Sequence, residues 1–208
     1  QGNSTNFKYE EGNDEFARIG KPYAIEIYDQ NNDLYSRGIL KWYVSGLVNR
    51  DFVRLSQNIN LIYDGNNTNK GTSTGYTFDS QNGNLIKKIL YGEYQSDSGG
   101  NITANIGNDA FYINYEYAKD PNGKIKDFIS NETVSDQSNK KVKETKYFYD
   151  NLAFGNVSKG NLTKEDFWKK DNDYTSSSKF YNSYGLITKS IDSNDNATFY
   201  EYDSYSLY

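Results

Sequence analysis

The chain of 208 residues contains no cysteine, no histidine and no methionine, and only two prolines. Without cysteine there are no disulfides, and thiol usage cannot indicate a redox compartment. Without histidine or cysteine the commonest acid/base group, the thiol nucleophile and the usual zinc and copper ligands are all missing, which argues against triad-type and metal-dependent hydrolysis. No apolar run approaches the roughly 20 residues that a membrane-spanning helix needs. A basic stripe is also missing. The net charge is −5 and the pI about 4.9, whereas a dedicated nucleic-acid binder carries a basic patch. The one dense basic stretch, Lys140, Lys141, Lys143 and Lys146, is interrupted by Glu144 and reads as a solvated strand face.

What is abundant is tyrosine, 21 residues of it, in a chain only 35% hydrophobic with a mean hydropathy of −0.92. Tyrosine buries its ring while its hydroxyl still needs a partner, so these numbers predict a thin aromatic core and a sheet with tyrosines on both faces. Aromatic and β-branched residues run throughout, which distinguishes the chain from a disordered one. Residues 1–19 lack clear periodicity and read as a linker or an irregular first strand. From Lys21 onward, Tyr23, Ile25 and Ile27 alternate with Ala24, Glu26 and Tyr28, a strand pattern that places the first set on the buried face. Turn-forming Asp29 to Asp33 and the apolar positions of Leu34 to Val48 complete a hairpin. Thr163-Lys164-Glu165-Asp166 resembles a helix start, but the following Phe167-Trp168 suits a strand equally well.

Repeats carry the most information. Four times the chain writes an aromatic strand, an Asp or Asn turn, then glycine and a short strand bearing lysine. Phe78-Asp79 leads to Gly83-Asn84-Leu85-Ile86-Lys87. Tyr115-Glu116-Tyr117 leads through Asp120-Pro121-Asn122 to Gly123-Lys124-Ile125-Lys126. Tyr147-Phe148-Tyr149-Asp150 leads to Gly160-Asn161-Leu162-Thr163-Lys164, and Tyr181-Asn182-Ser183-Tyr184 to Gly185-Leu186-Ile187-Thr188-Lys189. A further unit begins at Phe199-Tyr200-Glu201-Tyr202-Asp203. Alternate aromatics stabilise a sheet through cross-strand pairs. An Asp at a strand end accepts the backbone N–H groups just ahead of it, and glycine supplies positive φ. Such a hairpin needs neighbours to cover its aromatic face. Ser130 to Lys146 reads as an insertion between units.

These residues resemble the YD repeats of RHS proteins. The run from Tyr149 and Asp150 through Gly160 and Asn161, and the pair Tyr184-Gly185 with Tyr202-Asp203, are similar to the repeat region of insecticidal-toxin-complex B components. The resemblance spans Gly75 to Tyr208, with Lys21-Pro22-Tyr23 and Tyr28-Asp29 as earlier traces. It implies an all-β fold in which successive hairpins build a curved or spiralling antiparallel sheet over residues 20–208, truncated at both ends and forming part of a larger shell that encloses a C-terminal toxin. It also implies a secreted or cell-surface location, no cofactor and no catalysis by the repeats. The expected partners are the adjacent repeats and the enclosed cargo of the same polypeptide, with other toxin-complex subunits beyond. Relatives on cell surfaces use similar repeats in adhesion, so a module that binds glycan or protein is the alternative, with Trp42 and Trp168 as candidates for stacking on sugar rings. A glycoside-active enzyme is the third class.

Several local motifs have plainer readings. RHS shells carry an Asp-Pro-x-Gly element where they cut themselves, but Asp120-Pro121-Asn122-Gly123 is followed by further repeat sequence and reads as a β-turn. Asp192-Ser193-Asn194-Asp195-Asn196 places oxygen ligands at alternate positions as a calcium loop does, yet Ala197 stands where such a loop needs glycine, which favours a hairpin turn. The carboxylate pairs Glu165-Asp166 and Glu10-Glu11 consist of adjacent residues, which a strand points to opposite faces; neither makes a glycosidase site alone. Triplets such as Asn101-Ile102-Thr103 and Asn196-Ala197-Thr198 are expected by chance in so asparagine-rich a chain.

Overall fold

The computed structural model describes residues 4–10, 16–47, 50–63, 69–124 and 127–203. Among them are fourteen β-strands and one short 3-10 turn, Phe16–Arg18. The chain is all-β, and its strand pairs are antiparallel. It divides into two compact units, residues 1–113 with 136–140 and residues 114–135 with 141–208.

In the first unit the strands are β1 (Ser4–Tyr9), β2 (Pro22–Tyr28), β3 (Leu34–Leu47), β4 (Arg50–Tyr63), β5 (Asn69–Phe78), β6 (Leu85–Ser96) and β7 (Ile102–Asn105). Neighbours in sequence pair as successive hairpins. Within residues 1–19, Ser4 to Lys8 run opposite Tyr28 to Ala24 in continuous register. β2 reverses the expected face. Ala24 and Glu26 are the buried residues, at 1% and 3% exposure, whereas Ile25 and Ile27 are only half-buried. The reason is electrostatic. Glu26 accepts from Lys8 Nζ at 2.7 Å and from the Tyr28 hydroxyl at 2.8 Å, and Arg37 Nε lies 3.3 Å away. A carboxylate supplied with that many partners is accommodated inside, beside an alanine too small to compete for the space.

On the same face Ile39, Ile59, Leu61 and Tyr94 form the core of this unit. Burying Ile59 and Leu61 almost completely contributes roughly 2 kcal/mol each. The β6–β7 turn folds over this cluster. Gly100 has φ +77°, and a Cβ there would approach Ile59 Cδ1 to 2.8 Å, so only glycine allows the turn to sit so close. Two bonds tie it down: Arg37 Nη1 donates to the Ser98 carbonyl at 2.9 Å, and Asn69 Nδ2 to the Ser96 carbonyl at 2.9 Å.

The strand β8 (Phe111–Tyr117) carries the chain across the division. The second unit contains β9 (Ile129–Asp136), β10 (Lys141–Tyr149), β11 (Leu162–Lys170), β12 (Asp173–Tyr181), β13 (Ile187–Ile191) and β14 (Ala197–Phe199), again paired in chain order. Its core is smaller: Ala118, Tyr149 and Val157, with Phe128, Tyr147 and Leu162 packed around them. Phe128 meets Tyr149 edge-on, with ring centroids 5.1 Å apart. Residues 130–146, expected as an insertion, instead lie in the β9–β10 hairpin, whose register shifts once, between Lys141 and Lys143, and whose turn is made by Asp136 with Asn139 at positive φ. Thr163 to Asp166 lie in β11 as strand. Of the strand expected to restart at Lys124-Ile125-Lys126, the last two residues lie outside the described residues, and β9 begins at Ile129.

Candidate functional site

One turn chemistry recurs in both units. Asp29, Asp97, Asp120, Asp136, Asn182 and Asp192 each end a strand or open a loop. Each accepts, through its backbone carbonyl, the N–H of the residue three positions on. That later residue, Asn32, Gly100, Gly123, Asn139, Gly185 or Asp195, has positive φ. This is the three-residue connection in which a type I turn is closed by a left-handed residue. The side-chain oxygen of the leading residue meanwhile accepts backbone N–H groups two and four positions ahead, at 2.8 to 3.0 Å. Asp79 makes the same turn one residue longer, accepting from Gln81 and Asn82 at 2.7 and 3.0 Å. Asp120-Pro121-Asn122-Gly123 is therefore a turn. So is the Asp192 loop, whose carboxylate oxygens are both occupied, Oδ2 by Asn196 Nδ2 at 2.9 Å.

Asp150 elaborates the device. Its Oδ2 accepts the backbone N–H groups of Ser158, Lys159 and Gly160 at 2.8, 2.8 and 3.0 Å, and its Oδ1 accepts that of Asn161 at 3.0 Å. Burial raises its pKa, but the four donors outweigh that and hold it down to about 2. The carboxylate thus sits in a nest of N–H groups and staples the loop between β10 and β11. Gly160, at φ +94°, lies against the Phe128 ring, and a Cβ there would collide with it.

The residue before Asp150 does the complementary work. Tyr149 OH donates to the Ile129 carbonyl at 2.7 Å, Tyr181 OH to Leu162 at 2.8 Å and Tyr202 OH to Ile187 at 2.8 Å. Ile129, Leu162 and Ile187 are the first residues of β9, β11 and β13. Each tyrosine is followed by Asp or Asn, and each closes a hairpin at the end opposite its turn. Burial, then the nearby Tyr147 and Glu165, push Tyr149 up to about 12, so it stays a neutral donor.

Tyr184 is 75% exposed at a turn tip, and the tyrosine that does the structural work in that unit is Tyr181. Gly185 does take positive φ, and Asn161 meets Asp150 through both backbone groups. In the first unit Phe78 stands where the second unit has a tyrosine. It has no hydroxyl, and its ring instead carries the Arg54 guanidinium 5.0 Å from its centroid. Arg54 also donates to the Gly83 carbonyl, and Asn84 closes that turn by accepting from the Asp79 N–H at 2.7 Å. Asp203 is exposed. The hydroxyl-to-carbonyl pattern escaped sequence reading; Tyr-Asx dipeptides at 149, 181 and 202 were its available signal.

The two tryptophans are half-buried and engaged. Trp42 Nε1 donates to the Pro22 carbonyl at 2.7 Å, with Lys21 5.6 Å from its ring centroid. Trp168 Nε1 donates to the Asp171 carbonyl at 3.0 Å, with Lys141 4.7 Å from its ring. Most lysines of the basic stretch are likewise engaged: Lys141 with Glu144 at 2.8 Å, Lys143 with Glu132 at 3.4 Å, and Lys146 4.4 Å from the Tyr174 ring. Glu144 also accepts from Tyr174 OH at 2.6 Å; burial raises its pKa, but Lys141 and Tyr174 prevail and lower it. Glu165 and Asp166 have separate partners, Lys179 at 3.3 Å and Lys164 at 2.9 Å. Of the other carboxylate pair, Glu11 lies outside the described residues. Among the described residues no three acidic groups are placed to hold a metal ion, and no helix is long and apolar enough to cross a membrane.

Fold and turns together define an antiparallel, hairpin-built β protein whose conspicuous polar residues serve its own backbone. No family model matches the chain, and no curated protein matches it. Among solved structures, a porin-like protein from Bacteroides uniformis aligns over 97% of this chain and 82% of its own, at 14% identity and a TM-score of 0.38, a likeness too slight to carry an argument.

Proposed function

We propose that the chain is a structural wall segment of a YD-repeat shell, part of a secreted or surface bacterial toxin-like protein that encloses a C-terminal effector. The observation that carries this reading is the use to which the signature is put. Tyr149, Asp150, Gly160 and Asn161 are consumed in holding one loop and one hairpin end, and Tyr181 and Tyr202 repeat the hydroxyl bond in the following hairpins. Such a device tiles: in the second unit three successive hairpins are each finished by a tyrosine followed by Asp or Asn. Adjacent repeats and the enclosed cargo are then the partners, with other toxin-complex subunits outside. A glycan-binding module built on Trp42 and Trp168 is disfavoured, because each indole N–H already has a backbone acceptor and each ring already carries a lysine.

Electron microscopy of the polypeptide that carries this chain tests the proposal, with and without the region beyond the repeats. A closed hollow particle with internal density only when that region is present is the expected result. An open rod or a solid multidomain particle contradicts it.

A further inference from the structure

The chain contains two Asn-Gly dipeptides, Asn82-Gly83 and Asn122-Gly123, and each lies in one of the Asp-led turns. In such a pair the backbone nitrogen of the glycine can reach the asparagine side chain with no Cβ of its own in the way. We propose that Asn122 is a site of spontaneous covalent modification, deamidation to aspartate and isoaspartate, and that the fold withholds the same reaction from Asn82.

The reaction needs only water. The Gly123 nitrogen gives up its proton to solvent base and attacks Cγ of Asn122. The new N–Cγ bond closes a five-membered imide, and the carboxamide nitrogen leaves as ammonia. One water then opens the ring. Cleavage at Cγ leaves an aspartate in an unaltered backbone, whereas cleavage at the main-chain carbonyl of residue 122 leaves an isoaspartate, whose chain runs through the side-chain carboxyl and is one methylene longer.

Two features separate the dipeptides. The first is the carboxamide. Asn82 Oδ1 accepts the Asn84 N–H at 2.8 Å, which fixes the group that would have to turn toward Gly83. The Asn122 carboxamide has no hydrogen-bond partner among the described residues. The second is the glycine. Gly83 is half-buried, the Arg54 guanidinium fills the space a Cβ would take, and Arg54 donates to the Gly83 carbonyl. Closing the imide moves that backbone, so the clamp opposes it. Gly123 is exposed, and a Cβ there would meet nothing within 4 Å among the described residues. What the two sites share cancels: both glycine N–H groups donate to the carbonyl of the leading Asp at 2.9 Å.

The product changes the turn. A carboxylate at position 122 stands two residues from Asp120, and the added methylene of the isoaspartate displaces Gly123 and Lys124, whose N–H groups reach the Asp120 carbonyl at 2.9 Å and its Oδ2 at 3.0 Å. This inference does not rest on the shell proposal, and its readout, a mass, is blind to particle shape.

The test is to age the full chain in mildly alkaline buffer at body temperature and to map its peptides by mass spectrometry, with an isoaspartyl methyltransferase and labelled S-adenosylmethionine as the probe for isoaspartate. The Asn122 peptide is expected to exchange its amide for an acid about fivefold faster than the Asn82 peptide or more, the rate equivalent of one neutral hydrogen bond broken at Asn82 alone. The methyl label is expected in the same Asn122 peptide. In guanidinium chloride the two rates converge, because both dipeptides are then free. The proposal is overturned if Asn82 reacts as fast as Asn122 in the folded chain, if Asn122 stays intact over the time in which the unfolded chain converts, or if the gap between the two survives unfolding.

Discussion

The two units share their turns and differ in how they finish their hairpins. The first contains two strands of 14 residues, β3 and β4, whose long ladders lie over an aliphatic cluster capped by the Gly100 turn and anchored by the buried Glu26 with Lys8 and Arg37. In the second unit no strand of β9 to β14 exceeds nine residues. Strand ends then make up a larger share of the backbone, and carbonyls at Ile129, Leu162 and Ile187 need donors that a longer ladder would have supplied. Tyrosine hydroxyls supply them. The ten-residue β5 ends on Phe78 without a hydroxyl, whereas Tyr149 and Tyr181 end the nine-residue β10 and β12 on one.

Four expected outcomes sharpen that contrast or break it, and each unit carries its own reporter, Trp42 in the first and Trp168 in the second. Glu26→Ala leaves Lys8 and Arg37 without their buried partner and is expected to cost about 4 kcal/mol, read as a denaturation midpoint that falls more in Trp42 emission than in Trp168 emission. Asp150→Ala strands four backbone donors. Allowing for the partial exposure of the site, the expected loss is about 3 kcal/mol, this time larger at Trp168; Asp79→Ala, with two donors, loses less. Equal losses for the two aspartates would erase the distinction between the loops. Tyr149→Phe removes one hydroxyl bond to a backbone carbonyl, about 1 kcal/mol, with calorimetry as the check, while the more exposed Tyr202→Phe changes less.

A pH dependence is expected in the second unit as well. Asp150 is lowered from 3.8 to about 2, so its contribution is complete above about pH 4 and is lost as pH falls through 2. Tyr149 is raised from 10.0 to about 12, so the protein is penalised as pH rises beyond 10 and the buried phenol is driven to ionise. Acid and base titrations followed by Trp168 emission should bend in those windows.

Much of the local structure was readable from residue types. Asp and Asn at strand ends, followed a few positions later by glycine, specify the turns at Asp79, Asp120 and Asn182, with Gly83, Gly123 and Gly185; the Asp192 turn, closed by Asp195, is legible from its run of Asp, Ser and Asn. Faces were harder. Period-2 alternation in β2 identified a strand but favoured isoleucine over alanine and glutamate for the interior, because the partners that let Glu26 be buried come from β1 and β3. The β9–β10 hairpin was hidden for a related reason: Asp136 and Asn139 make its turn without glycine, so the composition resembled an insertion. Tyr184 adjoins Gly185 in sequence, but the hydroxyl that meets a carbonyl, 19 residues earlier, is that of Tyr181, a pairing that exists only across the paired strands.

The most direct measurement is hydrogen exchange of the Ser158, Lys159, Gly160 and Asn161 amides, in the intact chain and in Asp150→Ala. If the signature aspartate is a structural staple, the four amides are protected together in the intact chain and lose that protection together in the variant, while the turn at Asp79 is unchanged. Exchange at unprotected rates in the intact chain, or protection that survives the substitution, would contradict it.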